Sequence, residues 1–200
     1  MKKHKSSVDY YLKHENKKKP SGKVRKKLRR IINVFLVIFS AAVLGFAFSM
    51  FIMQSVHMEG PSMQPQINDG DVLLLNKAAY LFSDVKRYDI VAIQRMKSKE
   101  YFDIKRVVGL PGDELSCVGG YLIINGRQAR IGDEPITITT AGRLDGSGIK
   151  LGDEEYFVLG DNTNYSLDSR FVNYGNIQKS EIKGKVFYRI KPGDQKGKLK

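Results

Sequence analysis

The stretch Met58-Glu-Gly-Pro-Ser-Met-Gln-Pro65 divides the chain, because a long apolar run precedes it and short β-like segments follow it. Gly60, Pro61 and Pro65 restrict the backbone to turn or extended geometry, so we do not expect Ser62 inside a helix or a central strand. A turn can present the serine hydroxyl, which makes Ser62 a candidate nucleophile. An isolated Gly-Pro-Ser is more often a surface loop whose serine bonds its own backbone, so the neighbouring segments must decide between these interpretations.

The apolar run before this stretch extends from Ile31 to Met53 and contains 23 residues without a charge. As a helix it would be about 35 Å long, which is enough to cross the hydrocarbon core of a bilayer. A cleavable signal peptide is the competing interpretation, because Ala47-Phe48-Ser49 forms a small-x-small triplet. The run is longer than the apolar region of a signal peptide and continues past the triplet, so we favour a retained anchor over residues 31–53.

The charge is concentrated at the N-terminus. Residues 1–30 hold 13 of the 34 Lys and Arg but only two acids, Asp9 and Glu15, for a net charge of +11. The other 170 residues carry 21 basic and 19 acidic side chains, a net charge of +2. We expect residues 1–30 to be a disordered cytoplasmic tail and residues 54–200 to be extracytoplasmic, by the positive-inside rule. Because the basic excess is confined to this tail, we expect no nucleic-acid partner.

The remainder is interpreted as a mostly β domain over residues 54–192 followed by a polar tail over 193–200. Short β-rich runs separated by turn residues occur at 71–76, 89–94, 102–110, 121–125, 136–140, 156–159 and 184–190,. A helical turn is possible near 77–82. Asn125-Gly126 predicts a type I′ hairpin, so residues 114–152 are expected to form a small hairpin insertion,.

Cysteine and histidine are too few for metal chemistry. Cys117 is the single cysteine, and His4 and His14 lie in the basic tail, so we expect no disulfide and no metal,. His57 leaves a Ser-His-Asp hydrolase as an alternative, although its position near the membrane favours an anchoring role. Ser180-Glu-Ile-Lys183 matches the S-x-x-K pattern of penicillin-binding proteins, but no Lys-Thr-Gly accompanies it,.

Four segments taken together form a far more specific family signature than any one of them alone. They are Gly60-Pro-Ser-Met-Gln-Pro65, Gly70-Asp-Val-Leu-Leu74, Ile104-Lys-Arg-Val-Val-Gly-Leu-Pro-Gly-Asp113 and Gly160-Asp-Asn-Thr-Asn-Tyr-Ser-Leu-Asp-Ser-Arg170. In this order and spacing they resemble the boxes of bacterial type I signal peptidases, which are membrane-anchored serine proteases with a Ser-Lys dyad. Gly60, two residues before Ser62, and the short insertion resemble the Gram-positive members, whereas many Gram-negative members carry a serine there.

The resemblance implies that Ser62 attacks the scissile carbonyl and that Lys105 is its general base. Alternation along 101–110 does not choose Lys105, because it places Arg106 on the more apolar face,. A buried arginine needs a carboxylate partner, and Asp161 is our candidate. The apolar neighbours of Lys105 are compatible with a neutral amine, since burial disfavours the ammonium form.

The resemblance also implies that Ser166 orients the lysine amine and that Asp168 and Arg170 form an ion pair that holds the site together. The backbone N–H of Ser62 is one expected oxyanion donor. The second donor stays open, because Gly60 has no hydroxyl.

The implied enzyme needs no cofactor, acts on signal peptides of exported preproteins, and is a single-pass protein of the cell membrane near the secretion translocon. Self-cleaving repressor proteases share the Ser-Lys chemistry but carry a DNA-binding head in place of an anchor. A catalytically inactive, membrane-anchored β-rich scaffold that binds signal peptides is the non-enzyme alternative.

Overall fold

The computed structural model describes residues 22–94, 101–191 and 197–199. The predicted disordered tail therefore lies outside the described residues, except for 22–30. The chain separates into two units, residues 1–48 and residues 49–200.

Helix α1 covers Gly22–Ile52 and begins nine residues before the predicted span of 31–53. Lysine and arginine are good helix formers, so the helix extends back through the basic residues,. Within it, Arg25–Phe48 is a candidate membrane span by its length and by its apolar composition after Arg30. The predicted end at Met53 is wrong by one residue, because Met53 pairs with Asn76 and begins the first strand.

The rest of the chain is mostly β, as the sequence predicted. The strands are β1 (Met53–His57), β2 (Val72–Asn76), β3 (Ile90–Ile93), β4 (Asp103–Gly109), β5 (Glu114–Val118), β6 (Tyr121–Ile124), β7 (Arg127–Gln128), β8 (Arg130–Ile131), β9 (Glu134–Pro135), β10 (Ile149–Lys150), β11 (Glu155–Leu159), β12 (Ile177–Gln178), β13 (Ile182–Lys191) and β14 (Gly197–Lys198). Two 3-10 helices cover Gly142–Leu144 and Lys179–Glu181. The main sheet is antiparallel with the order β1-β2-β13-β3-β4-β11-β12, and β14 pairs with β13.

A second sheet, β10-β5-β6-β7, is formed by the segment predicted to be an insertion. Its hairpin loop has φ of 50° at Asn125 and 76° at Gly126, as a type I′ turn requires,. The strand expected over 136–140 does not form, and only an isolated bridge joins Tyr121 to Thr137.

Part of the predicted polar tail over 193–200 forms a short strand. Gly197–Lys198 pairs with Arg189 and Tyr188, because β13 offers a free edge at that end,.

Three buried clusters hold the β domain together. One contains Met63 and Ile67 from the segment around Ser62, packed with Leu73, Leu75 and Ile104. A second lies where the two sheets meet and includes Leu115, Leu122 and Phe157. The third includes Val107, Tyr156 and Val158. Strand β4 contributes to all three clusters, so its residues are fixed from both faces.

Candidate active site

Ser62 lies on a turn between β1 and β2, as its flanking residues predicted. Gly60 has φ of +79°, a conformation that favours glycine, and its N–H donates to Asp69 Oδ1 at 2.8 Å,. The N–H of Gln64 donates to the carbonyl of Pro61 at 3.1 Å, and Met63 is fully buried. These contacts fix the turn and leave Ser62 half-buried. Since the Gly60 N–H is already used, it is not the second oxyanion donor in this conformation.

Lys105 lies on β4 with its Nζ 3.1 Å from Ser62 Oγ and 3.3 Å from the carbonyl oxygen of Ile104. The residue is only 5% exposed. Burial lowers the pKa of Lys105, while the negative charges of Asp103 and Asp168 oppose that shift,. A lowered pKa increases the fraction of the amine that can accept a proton.

A cleft of about 550 Å³ opens over the Ser62–Lys105 pair. Its lining is mainly apolar or aromatic and includes two acids. The lining residues are Met58, Glu59, Ser62, Ile93, Tyr101, Phe102, Asp103, Ile104, Lys105, Leu167, Asn173 and Tyr174. Strand β11 pairs with β4 only from Arg106 onward. Residues 103–105 pair with β3 on one side. On the β11 side they have no strand partner among the described residues, so this edge could pair with an extended peptide.

The loop Gly160-Asp161-Asn162 closes over the Ser62 turn from the opposite side. The N–H of Asn162 donates to the carbonyl of Ser62 at 3.0 Å, and its Nδ2 donates to the carbonyl of Pro61 at 3.2 Å. A Cβ at Gly160 would lie 2.4 Å from the Ser62 carbonyl oxygen and 2.3 Å from Ser166 Oγ. Sequence reasoning quoted this segment but gave no role to Gly160 or Asn162, since a close approach of two loops has no sequence signal of its own.

Arg106 and Asp161 form the ion pair that the strand pattern suggested. Nε and Nη2 of Arg106 each donate to one oxygen of Asp161 at 2.7 Å, and Nη1 donates to the carbonyl of Tyr88 at 2.9 Å. Arg106 is 2% exposed, so its charge is satisfied by this bidentate pair and the carbonyl,. The pair fixes the loop that contacts Ser62 to the strand that carries Lys105.

Asp168 and Arg170 also pair, and both are fully buried. Nε and Nη2 of Arg170 donate to the two carboxylate oxygens at 2.8 and 2.9 Å. The guanidinium also donates to the carbonyls of Thr140, Thr163 and Ser166. The carboxylate accepts from the N–H of Gly160 at 3.2 Å, so this pair positions the same loop.

Ser166 lies in this loop, and its Oγ is a buried oxygen without a hydrogen-bond partner among the described residues. No bond from it to Lys105 is present in this conformation. Its role in orienting the amine stays a prediction.

The alternative nucleophile systems are not assembled. His57 is exposed on β1 and lines an adjoining pocket, which shares Tyr101 with the cleft over Ser62, but it does not line that cleft itself. Ser180 is also exposed, and Lys183 Nζ donates to its carbonyl oxygen at 2.7 Å and not to its hydroxyl.

Comparison with known proteins gives a consistent result. The family model "Signal peptidase, peptidase S26" matches residues 31–191. "Signal peptidase I" from Bacillus caldolyticus is 32% identical over 170 residues, covering 78% of this chain and 90% of the relative. "Probable signal peptidase I-2" from a Synechocystis species is 31% identical over 165 residues, covering 80% and 73%. "Signal peptidase I V" from Bacillus subtilis is 32% identical over 165 residues, covering 76% and 94%.

A crystal structure of a signal peptidase I from Enterococcus faecalis aligns with 52% of this chain and 97% of its own, with 25% identity and a TM-score of 0.39. The family model covers most of the chain, and the sequence relatives named above share about a third of their aligned residues with it. The chain therefore belongs to the signal peptidase family, peptidase S26, and is a hydrolase of that family.

Proposed function

We propose that this chain is a membrane-anchored serine endopeptidase that removes signal peptides from exported preproteins, with Ser62 as nucleophile and Lys105 as general base. The observation that carries the proposal is the 3.1 Å contact between Lys105 Nζ and Ser62 Oγ. The recorded hydrogen-bond partners of this buried amine in the described part of the chain are a hydroxyl and a carbonyl, with no carboxylate. Burial therefore favours the neutral amine that a base requires.

In the first half of the reaction, Ser62 Oγ attacks the scissile carbonyl carbon while its proton passes to Lys105 Nζ. The backbone N–H of Ser62 donates to the developing oxyanion. Lys105 then gives the proton to the leaving amine, which becomes the new N-terminus of the mature protein. The signal peptide stays attached to Ser62 as an ester.

In the second half, Lys105 takes a proton from water as the water oxygen attacks the ester carbonyl. Collapse of the intermediate returns the proton to Ser62 Oγ and releases the signal peptide with a free carboxylate. Asp161, Asp168 and Arg170 take no part in proton transfer, because their charges are held in ion pairs. They position the two loops that meet at Ser62.

The cleft accounts for the proposed substrate. The free edge of residues 103–105 can bind the segment before the cleavage site as an added strand. Met58 and Ile104 line the cleft beside Ser62 and are both buried. We expect such a packed wall to accept small side chains and to exclude bulky ones at the positions next to the cut.

The test compares variants of the full chain in detergent with a preprotein as substrate. Ser62→Ala and Lys105→Met should abolish cleavage, because the first loses the nucleophile and the second keeps the side-chain length without the amine. Ser180→Ala and Lys183→Met are matched controls and should cleave at the wild-type rate. Sequencing of the product N-terminus establishes the cut.

The outcomes separate the two functions. Cleavage at the signal junction by the wild type and the two controls, but not by Ser62→Ala or Lys105→Met, supports the peptidase. Binding of the preprotein without any cleavage by the wild type would support the scaffold instead.

A further inference from the structure

The turn that carries Ser62 is part of a longer loop, residues 58–71, whose two ends are joined. The N–H of Met58 donates to the carbonyl of Asp71 at 2.9 Å, and the N–H of Gly70 donates to the carbonyl of Met58 at 2.9 Å. These bonds continue the antiparallel ladder of β1 and β2. The base of the loop is therefore fixed to the main sheet, whereas Ser62 lies beyond it.

The carboxylate of Asp71 is buried inside this loop, where the residue is 3% exposed. Its Oδ2 accepts from the N–H of Asn68 at 2.9 Å and from Nη1 of Arg189 at 3.0 Å. The same Nη1 donates to the carbonyl of Gln66 at 3.1 Å. Arg189 lies on β13 and is 7% exposed. One buried side chain of the main sheet therefore holds the loop at two points.

The backbone between Gln66 and Ser62 is compact. The N–H of Ile67 donates to the carbonyl of Met63 at 2.8 Å, and both side chains are fully buried in the same cluster. Met63 directly follows Ser62 in the chain. Because a close-packed core transmits displacements, a shift of Gln66 should move Ile67, Met63 and the adjoining nucleophile together.

Lys105 is held by the main sheet without the help of this loop. It lies on β4, and β3 separates β4 from β13 in the sheet. The sheet therefore fixes the amine directly and contacts the nucleophile loop through Arg189. The distance of 3.1 Å between Lys105 Nζ and Ser62 Oγ depends on both connections.

We propose that the Asp71–Arg189 pair positions the nucleophile, because it holds the Ser62 turn where the hydroxyl meets the Lys105 amine. Arg189 does not line the cleft, so it acts through the loop and is a positioning residue. The inference rests on the proposed function and extends it to a residue outside the four sequence motifs. A pair that only stabilised the fold would leave turnover unchanged in any variant that stays folded.

The test measures kcat and KM for preprotein cleavage by the full chain in detergent, well below the unfolding temperature of each variant. The double variant Asp71→Leu with Arg189→Met removes both charges together, a replacement that buried ion pairs often tolerate. We expect kcat to fall about 100-fold, because misplacing a reacting group by about 1 Å can cost that much. KM should stay within about twofold of the wild type, since the edge at 103–105 is untouched.

Two further variants separate positioning from stability. Arg189→Lys keeps a charge beside Asp71 but has one amine in place of the guanidinium, so its kcat should lie between those of the wild type and the double variant. Lys185→Met is the matched control, because Lys185 lies on the same strand and pairs with Asp89, which is outside the loop. Asp89 keeps the hydroxyl of Tyr80 as a donor, so this control should cleave at the wild-type rate.

The outcomes distinguish this inference from the proposed function. A folded double variant with wild-type kcat would overturn the inference alone. A raised KM at unchanged kcat would also overturn it, because the pair would then act on substrate binding. If the double variant does not fold, Arg189→Lys decides, and wild-type kcat in that variant overturns the inference. Absence of cleavage by the wild type would contradict the proposed function and this inference with it.

Discussion

At the residue scale, the Lys105 amine is held near Ser62 with its charge disfavoured. Burial is the largest influence on its pKa and lowers it, while Asp103 and Asp168 partly offset the effect. A base must be neutral before it accepts a proton, so the same burial that destabilises the ammonium form makes the residue useful.

The first prediction concerns the pH dependence of cleavage. The rate should rise with pH through the folded pKa of Lys105 and level off below pH 10.5, the ordinary pKa of a lysine. With a lowered pKa, the amine is already deprotonated at lower pH,. Lys105→Arg should be inactive at every workable pH, since a guanidinium keeps its proton. Preprotein cleavage across a pH series checks both. A Lys105→Arg enzyme with wild-type turnover would remove Lys105 from the mechanism.

The second prediction concerns Asp103, which is exposed at the edge of the cleft and raises the pKa of Lys105. Asp103→Asn removes this negative charge, so the rising limb of the rate profile should move to lower pH. Asp153→Asn, at an exposed site in the loop before β11, is the control and should leave the profile in place. A profile for Asp103→Asn that overlays the wild type would show that this carboxylate does not act on the amine.

At the scale of elements, the segment 160–170 holds the Ser62 turn against β4. The Arg106–Asp161 ion pair and the hydrogen bonds of Asn162 connect it to its surroundings, and the buried Asp168–Arg170 pair holds it together from within. Removing one partner of a buried ion pair typically lowers the free energy of unfolding by about 3–5 kcal/mol. These side chains therefore act mainly by maintaining the geometry of the segment.

The third prediction tests the closest approach in this arrangement. Gly160→Ala would place a Cβ 2.4 Å from the Ser62 carbonyl oxygen, so the two loops must separate and cleavage should fall by orders of magnitude,. Gly152→Ala is the matched control, because its Cβ would meet nothing closer than 3.5 Å. Cleavage rates and thermal unfolding of both variants are compared. Wild-type activity in Gly160→Ala would mean that the loop contact is dispensable.

Much of the β domain was predictable because its strands carry local signals. The runs at 89–94 and 156–159 were predicted within one residue of β3 and β11 at each end, and the Asn125-Gly126 turn followed from its φ requirement. Strand β1 was missed, because its residues have no alternation and follow directly on the apolar helix. Strand β14 was missed because it depends on the edge of β13, which lies outside its own sequence.

The residues of the candidate site were suggested by the motifs and not by periodicity. Alternation along β4 could not identify Lys105, because both faces of the strand are covered and all residues from Ile104 to Gly109 are buried,. The Arg106–Asp161 pair was predictable because burying an unpaired charge is costly in free energy in any protein. The contacts of Gly160 and Asn162 needed the tertiary structure.

At the scale of the whole molecule, the asymmetry of charge supports the proposed orientation of the chain. The segment before the apolar run carries +11 and the segment beyond it +2. Basic residues close to a span are retained on the cytoplasmic side.

The fourth prediction follows from this asymmetry. Protease added to intact protoplasts should degrade the β domain and leave the basic N-terminal segment, which antibodies to each end would detect. Permeabilised protoplasts are the control, in which both ends should be digested. Protection of the β domain in intact cells would reverse the proposed orientation.

Helix α1 passes into β1 without an intervening residue, since one ends at Ile52 and the other begins at Met53. In the proposed membrane-anchored enzyme, a connection without spare residues would confine cleavage to a thin layer beside the bilayer, so substrates would be selected by the depth of their cleavage sites. Cleavage sites that lie too high or too low should be passed over. A flexible Gly-Ser linker inserted between Ile52 and Met53 should widen the range of spacer lengths that are cut, because it uncouples reach from the bilayer. An unchanged range would mean that depth is set elsewhere in the domain.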